Sequence, residues 1–140
     1  MTDEIYDVLT TTRRVAVVGA SDNPARASHE IMGFLVARGF DVVGVNPGLA
    51  GRTLHGRPVV GTLEEAGPLD MVDVFRAPDQ VPGVMAEAIR LGARTVWLQL
   101  GVTHPAAVIA GRAAWITVIE DRCPAIEWRR LRLPTWIRPT

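Results

Sequence analysis

The sequence predicts an α/β fold, a doubly wound and mostly parallel sheet of about five strands with helices on both faces. Two observations carry that expectation. Five apolar runs of strand length alternate with amphipathic stretches of helical length along the 140 residues. The runs are apolar at nearly every position rather than every second one, which marks strands buried on both faces by covering helices. With 48% hydrophobic residues the chain can bury a real core, and residues 1–140 are expected to form one domain.

The predicted strands are "RVAVVGA" (14–20), "DVVGVNP" (41–47), "MVDVFRA" (71–77), "RTVWLQLG" (94–101) and "AWITVIEDR" (114–122). A first helix fits 28–39, where Ile31, Leu35 and Arg38 recur at helical spacing, Met32 and Phe34 widen the apolar face, and Gly39 stops it. A second fits 78–92, with Val81, Met85, Ala88 and Ile89 on one face and Gly92 at its end; Pro82 suits only its first turn. A third fits 104–114, with Pro105 at the first helical position and Thr103 as a candidate N-cap. A C-terminal helix runs through "CPAIEWRRLR". The Gly- and Pro-rich segment 46–70 carries at most a short strand at "RPVVG" and a short helix at "TLEEA".

Composition narrows the function. Formal net charge is zero, so no global field draws in nucleic acid or an anionic membrane. The single cysteine, Cys123, excludes an internal disulfide and a zinc cluster of cysteines, and fits reducing surroundings. The start "MTDEIYDVLTTTRR" is acidic and polar, and no run approaches the ~18 apolar residues of a membrane span. A soluble, cytoplasmic protein without a nucleic-acid or membrane partner is expected.

In an open parallel sheet, ligands sit beyond the carboxyl ends of the strands, and "VGASDNPARAS" lies there after the first strand. Free N–H groups at the start of the next helix, with the positive end of its dipole, suit an anion. Gly19 permits close backbone approach, and Ser21, Arg26 and Ser28 offer side-chain donors. The competing reading is an ordinary loop with Ser28 as N-cap and Arg26 solvated. The turn is not a dinucleotide fingerprint, because Ser21 and Pro24 stand where glycines belong. The second strand ends in Asn46-Pro47 rather than in the acid that holds the ribose of NAD. Asn46 could bond a ribose or phosphate, and Arg52 or Arg57 could reach a further phosphate; exposed arginines beside a Pro-Gly turn are the plain alternative.

Taken together, "VAVVGASDNPARAS", "VVGVNP", "LHGRPVVGTLEE", "VDVFRAP", "GARTVWLQLGV" and "VIEDRCPAIEWRRL" resemble the small stand-alone CoA-binding protein family. That family's fold is similar to the CoA-binding domain of the succinyl-CoA synthetase α subunit. The resemblance covers roughly residues 10–133 and implies a Rossmann-like domain with coenzyme A as its cofactor. It further implies that Gly19, Ala20, Ser21, Arg26 and Ser28 hold CoA phosphates, and that Asn46 and Pro47 border the nucleotide. Phe75, Arg76, Ala77 and Pro78 would line the adenine or pantetheine path, with Gln99 and Gly101 at the next strand end. Ala27, and Leu54-His55-Gly56, are mild departures from the family pattern.

No catalytic set stands out. His29, His55 and His104 are scattered, without a Ser or Cys partner at a motif spacing. Asp70 and Asp73, or Glu120 and Asp121, could pair at the sheet edge, although solvated loop acids are the simpler reading. Cys123 is a candidate for disulfide exchange with the CoA thiol, with Arg122 beside it; packing in the core is the alternative. Trp97 falls in a core strand, while Trp128 and Trp136 are candidates for a homo-oligomer interface. The expectation is a non-catalytic protein that binds CoA or an acyl-CoA, with no metal. The rivals are a small NAD(P)-binding Rossmann oxidoreductase and a CoA- or redox-sensing module acting through Cys123.

Overall fold

The computed structural model describes residues 3–134, so Trp136 lies outside the described residues. In chain order the elements are α1 (Glu4–Thr11), β1 (Arg14–Val18), α2 (Ala27–Ala37), β2 (Asp41–Val45), β3 (Thr53–Leu54) and β4 (Arg57–Val60). They continue with β5 (Met71–Val74), α3 (Val81–Arg90), β6 (Thr95–Leu98), α4 (Pro105–Ala113), β7 (Thr117–Ile119) and α5 (Pro124–Arg130). The sheet order is β3-β4-β2-β1-β5-β6-β7. Every neighbouring pair is parallel except the β3–β4 hairpin. The fold is the Rossmann-like α/β arrangement that the alternation of runs implies.

Both faces are covered. On one, Leu9 of α1, Ile31 and Leu35 of α2 and Trp128 of α5 close over Val15, Val17, Met71 and Trp97. On the other, Val81 and Met85 of α3 and Val108 of α4 close over Ala16, Val18, Val72 and Val96. Alternation along each strand sends successive side chains to opposite faces, so a strand covered on both sides is apolar throughout. Helices α3 and α4 approach closely at Gly111, where a Cβ would meet the Met85 Sδ at 2.7 Å.

The five expected strands and four expected helices are present, with shorter bounds. Two elements were not expected. Helix α1 hides its pattern in a polar stretch, yet Val8 and Leu9 are buried and Asp3 caps it by accepting from the Ile5 N–H at 2.9 Å. Strand β3 adds a hairpin whose two-residue turn, His55-Gly56, has positive φ at both positions, the geometry that matches the strand twist. The residues 78–80 form a 3₁₀ turn before α3, which leaves Pro82 in the first turn of the helix. The N-cap of α4 is His104, not Thr103, because the His104 Nδ1 accepts from the Ala107 N–H at 3.1 Å. Trp128 is only 3% exposed, edge-on to Phe34 and Phe40, and so is a core residue and not an interface candidate.

Candidate functional site

The chain leaves β1 toward β2 on one side and returns to β5 on the other, so the strand order reverses between β1 and β5. A crevice must open above their carboxyl ends, since the connections depart in opposite directions. A cavity of about 520 Å³ occupies that place. Its floor begins at Gly19, whose N–H donates to the Val45 carbonyl at 3.0 Å and whose φ is +93°. A Cβ there would collide with the Phe75 carbonyl oxygen, so the turn needs glycine for backbone conformation and for space.

The turn is held from two sides. The Ser21 Oγ accepts from the Asn23 N–H at 3.0 Å, and the His29 Nδ1 lies 2.8 Å from the Ser21 carbonyl. The Asn46 Nδ2 donates to the Ala20 carbonyl at 2.8 Å, while its Oδ1 accepts from the Gly48 N–H at 2.8 Å. Each end of the Asn46 amide makes one bond, so Asn46 braces the loop while lining the cavity with a second N–H and a second lone pair to spare. Helix α2 opens at the cavity with Arg26 as N-cap and no side-chain cap. Ser28, read as a possible N-cap, sits instead inside the first turn, buried, and lines the cavity.

Arg26 and Arg76 both line the cavity, and neither guanidinium has a hydrogen-bond or ion-pair partner among the described residues. Gln99 is 7% exposed, and its buried Oε1 has no partner either. The site thus combines two free cations and a helix N-terminus, donors suited to a phosphorylated ligand, with an unsatisfied amide oxygen that can accept from another part of it.

Of the expected residues, the cavity gathers Gly19, Ala20, Ser21, Arg26, Ser28, Asn46, Phe75, Arg76 and Gln99. It does not gather Pro47, Ala77, Pro78 or Gly101. Pro47 lines a neighbouring cavity of about 400 Å³, beside Val45, Gly61 and Val84, which shares Arg76 with the first. The Gly101 N–H donates to the Asp121 Oδ1 at 2.8 Å. Ala27, Leu100 and Val102 also line the first cavity, each next to or near a residue the sequence singles out. Arg57 is not among the cavity's lining residues and is held at the amino end of β2, where it pairs with Asp41 and donates to the Val42 carbonyl. Arg52 pairs with Asp22 at 3.3 Å.

Of the four acids, only Asp73 departs from the reading of solvent-reached loop acids; Asp121 is exposed and Asp70 and Glu120 are half-buried. Asp73 is wholly buried in β5, in register with Val17 and Trp97, and neither carboxyl oxygen has a partner. Burial without a donor pushes its carboxyl well above the usual carboxylate range. The Asp70 Oδ2 accepts from the N–H groups of Arg13 and Arg14 at 3.0 Å each. Glu120 lies 3.9 Å from Arg112. Cys123 is 7% exposed, in the core cluster under α2, and is not a lining residue of the cavity. His29 and His55 stack tilted at 4.4 Å, and His55 Nε2 lies 2.8 Å from the His29 carbonyl. Among the described residues no group of three or more His, Cys, Asp and Glu converges as a metal site, and no helix is long and apolar enough to cross a membrane.

With the crevice and its donors defined, comparison with known proteins gives the class. The family model described as a CoA binding domain matches residues 13–129, and the chain belongs to that family. It is 36% identical over 120 residues to the uncharacterized protein YneT of Bacillus subtilis (strain 168), covering 86% of this chain and 88% of that one. Cell-free ID.343 from Thermus thermophilus superposes with a TM-score of 0.87 at 36% identity, over 94% of this chain and 99% of that one. The dinucleotide-forming acetyl-coenzyme A synthetase 1 of Ca. Korarchaeum cryptofilum shares the fold alone, with a TM-score of 0.67 at 17% identity over 82% of this chain. This chain spans 27% of that much longer one.

Proposed function

We propose that the protein binds coenzyme A or an acyl-CoA in the cavity at the carboxyl ends of β1, β5 and β6, and that it is not a catalyst by itself. One observation carries the reading: Arg26 and Arg76, both unpaired among the described residues, converge with the N-terminus of α2 on one cavity in a chain of the CoA binding domain family. Phosphates bind to Arg26 and the first-turn N–H groups of α2, where charge-assisted hydrogen bonds and the helix dipole act together. The less polar part of the ligand passes Arg76 toward the neighbouring cavity with Val45, Pro47 and Val84. Gln99 meets an amide or hydroxyl of the pantetheine arm. The absence of an acid at the end of β2 favours CoA over NAD(P). The single, buried cysteine suits a reducing cytoplasmic setting and gives Cys123 no open path to the ligand thiol.

Isothermal titration with CoA, acetyl-CoA, NAD⁺ and NADP⁺ tests the proposal. CoA binds with a dissociation constant below about 1 mM, and the nicotinamide cofactors bind more weakly. No CoA binding in that range, or tighter binding of NAD(P), refutes it.

A further inference from the structure

The opposite end of the sheet holds a second polar cavity of about 390 Å³, beneath α1 and the amino ends of β5, β6 and β7. Its walls carry charges of both signs. Glu4 and Asp7 project from α1 one turn apart, Asp70 precedes β5, and Arg94 precedes β6. None of these four forms an ion pair within the cavity, and Arg94 has no side-chain partner at all among the described residues. Asp70 is fixed by two backbone N–H groups on its Oδ2, which leaves Oδ1 open. Thr95 points to a ligand on independent grounds: it is 5% exposed, lines the cavity, and its hydroxyl has no hydrogen-bond partner among the described residues.

We propose that this cavity binds a small zwitterion of the amino-acid class. Carboxylates and a guanidinium held apart across one space are the complement of a molecule with an ammonium at one end and a carboxylate at the other. The ligand ammonium meets Asp70, Asp7 and Glu4, its carboxylate meets Arg94, and the Thr95 hydroxyl supplies the polar contact at the floor. The volume lies in the lower part of the range of small-molecule pockets. This site is separate from the proposed CoA cavity, which lies at the other end of the same strands.

Amide NMR spectra of the whole protein, titrated singly with L-serine, L-glutamine and L-lysine, test it, with butylamine and butyrate as single-charge probes. At least one amino acid shifts the amides of Thr95 and Thr117 saturably at low-millimolar concentration, and leaves Ser21 and Gly101 unmoved. Butylamine and butyrate bind at least about tenfold more weakly. Arg94→Gln lowers the amino-acid affinity by about tenfold or more, and Thr95→Val by several-fold. The exposed Arg94 side chain makes no hydrogen bond or ion pair among the described residues, and an unchanged amide spectrum of the free variant separates loss of binding from loss of structure. The proposal is overturned if no amino acid shifts those amides below about 10 mM, if butylamine alone binds equally well, or if Arg94→Gln changes nothing.

Discussion

The orphaned carboxyl of Asp73 makes a prediction about stability against pH. It is wholly buried and no donor reaches either oxygen, so the neutral acid is favoured in the folded protein and its pKa rises well above the usual carboxylate value. In the unfolded chain the group titrates normally. Between those two pKa values the folded state holds a proton that the unfolded state has released. Its contribution is therefore complete below about pH 4 and is lost as pH rises through the raised pKa. The loss is about 1.4 kcal/mol per pH unit, or about 3 kcal/mol over two units. Asp73→Asn keeps the shape, removes the titration, and forfeits no hydrogen bond, because Asp73 makes none. Urea denaturation of both proteins from about pH 4 to about pH 8 gives the difference in stability. The difference moves in favour of the asparagine variant with rising pH at that slope and then levels. Asp3 and Glu87, whose carboxyls the arginines Arg130 and Arg90 hold low, titrate alike in both proteins and cancel. A difference that stays flat across the range refutes the argument that burial keeps Asp73 protonated.

Other perturbations test the site and the packing. Arg26→Ala weakens CoA binding by about 1–3 kcal/mol in calorimetry, since the unpaired guanidinium is the exposed cation at the N-terminus of α2. Gly19→Ala lowers stability in urea by more than about 1 kcal/mol and also weakens CoA binding, because its φ of +93° and the Phe75 carbonyl both oppose a side chain. Trp115 is 94% exposed on the turn into β7, so Trp115→Gln changes stability by less than about 0.5 kcal/mol while removing the fluorescence most open to iodide quenching among the tryptophans of the described residues. Cys123→Ala leaves CoA affinity unchanged by calorimetry, since the thiol is buried away from the cavity lining.

The core of the fold was legible because burial on both faces writes itself as unbroken apolar runs. Val15–Val18, Val42–Val45 and Val96–Leu98 carry that signal, and no local residue contradicts it. Helix α1 escaped because it buries only Val8 and Leu9, and its exposed Glu4, Tyr6 and Asp7 dominate the local pattern. Strand β3 escaped because two residues are too few for a period, although His55-Gly56 occupies a turn that only permissive residues fill cheaply. At the site, glycine and the helix start were readable from order along the chain. The commitment of Arg57 to Asp41 and of Arg52 to Asp22 was not, because which cation stays free depends on acids 16 and 30 residues away.

The end of β2 shows how one side chain can tie two loops together. An acid there would accept a hydrogen bond from a ribose, as in dinucleotide sites. It could not donate, and the Ala20 carbonyl, which Asn46 now satisfies, would face a negative charge instead. Asn46 donates to Ala20 and accepts from Gly48 at once, so it ties the turn after β1 to the turn after β2. In the turn after β1, Ser21 and Pro24 stand where a dinucleotide fingerprint would have glycines. The missing acid and the missing glycines both set the site apart from a dinucleotide fingerprint. On the proposed reading, recognition falls to the free Arg26 and Arg76 and the N-terminus of α2, groups suited to phosphate rather than to a ribose diol.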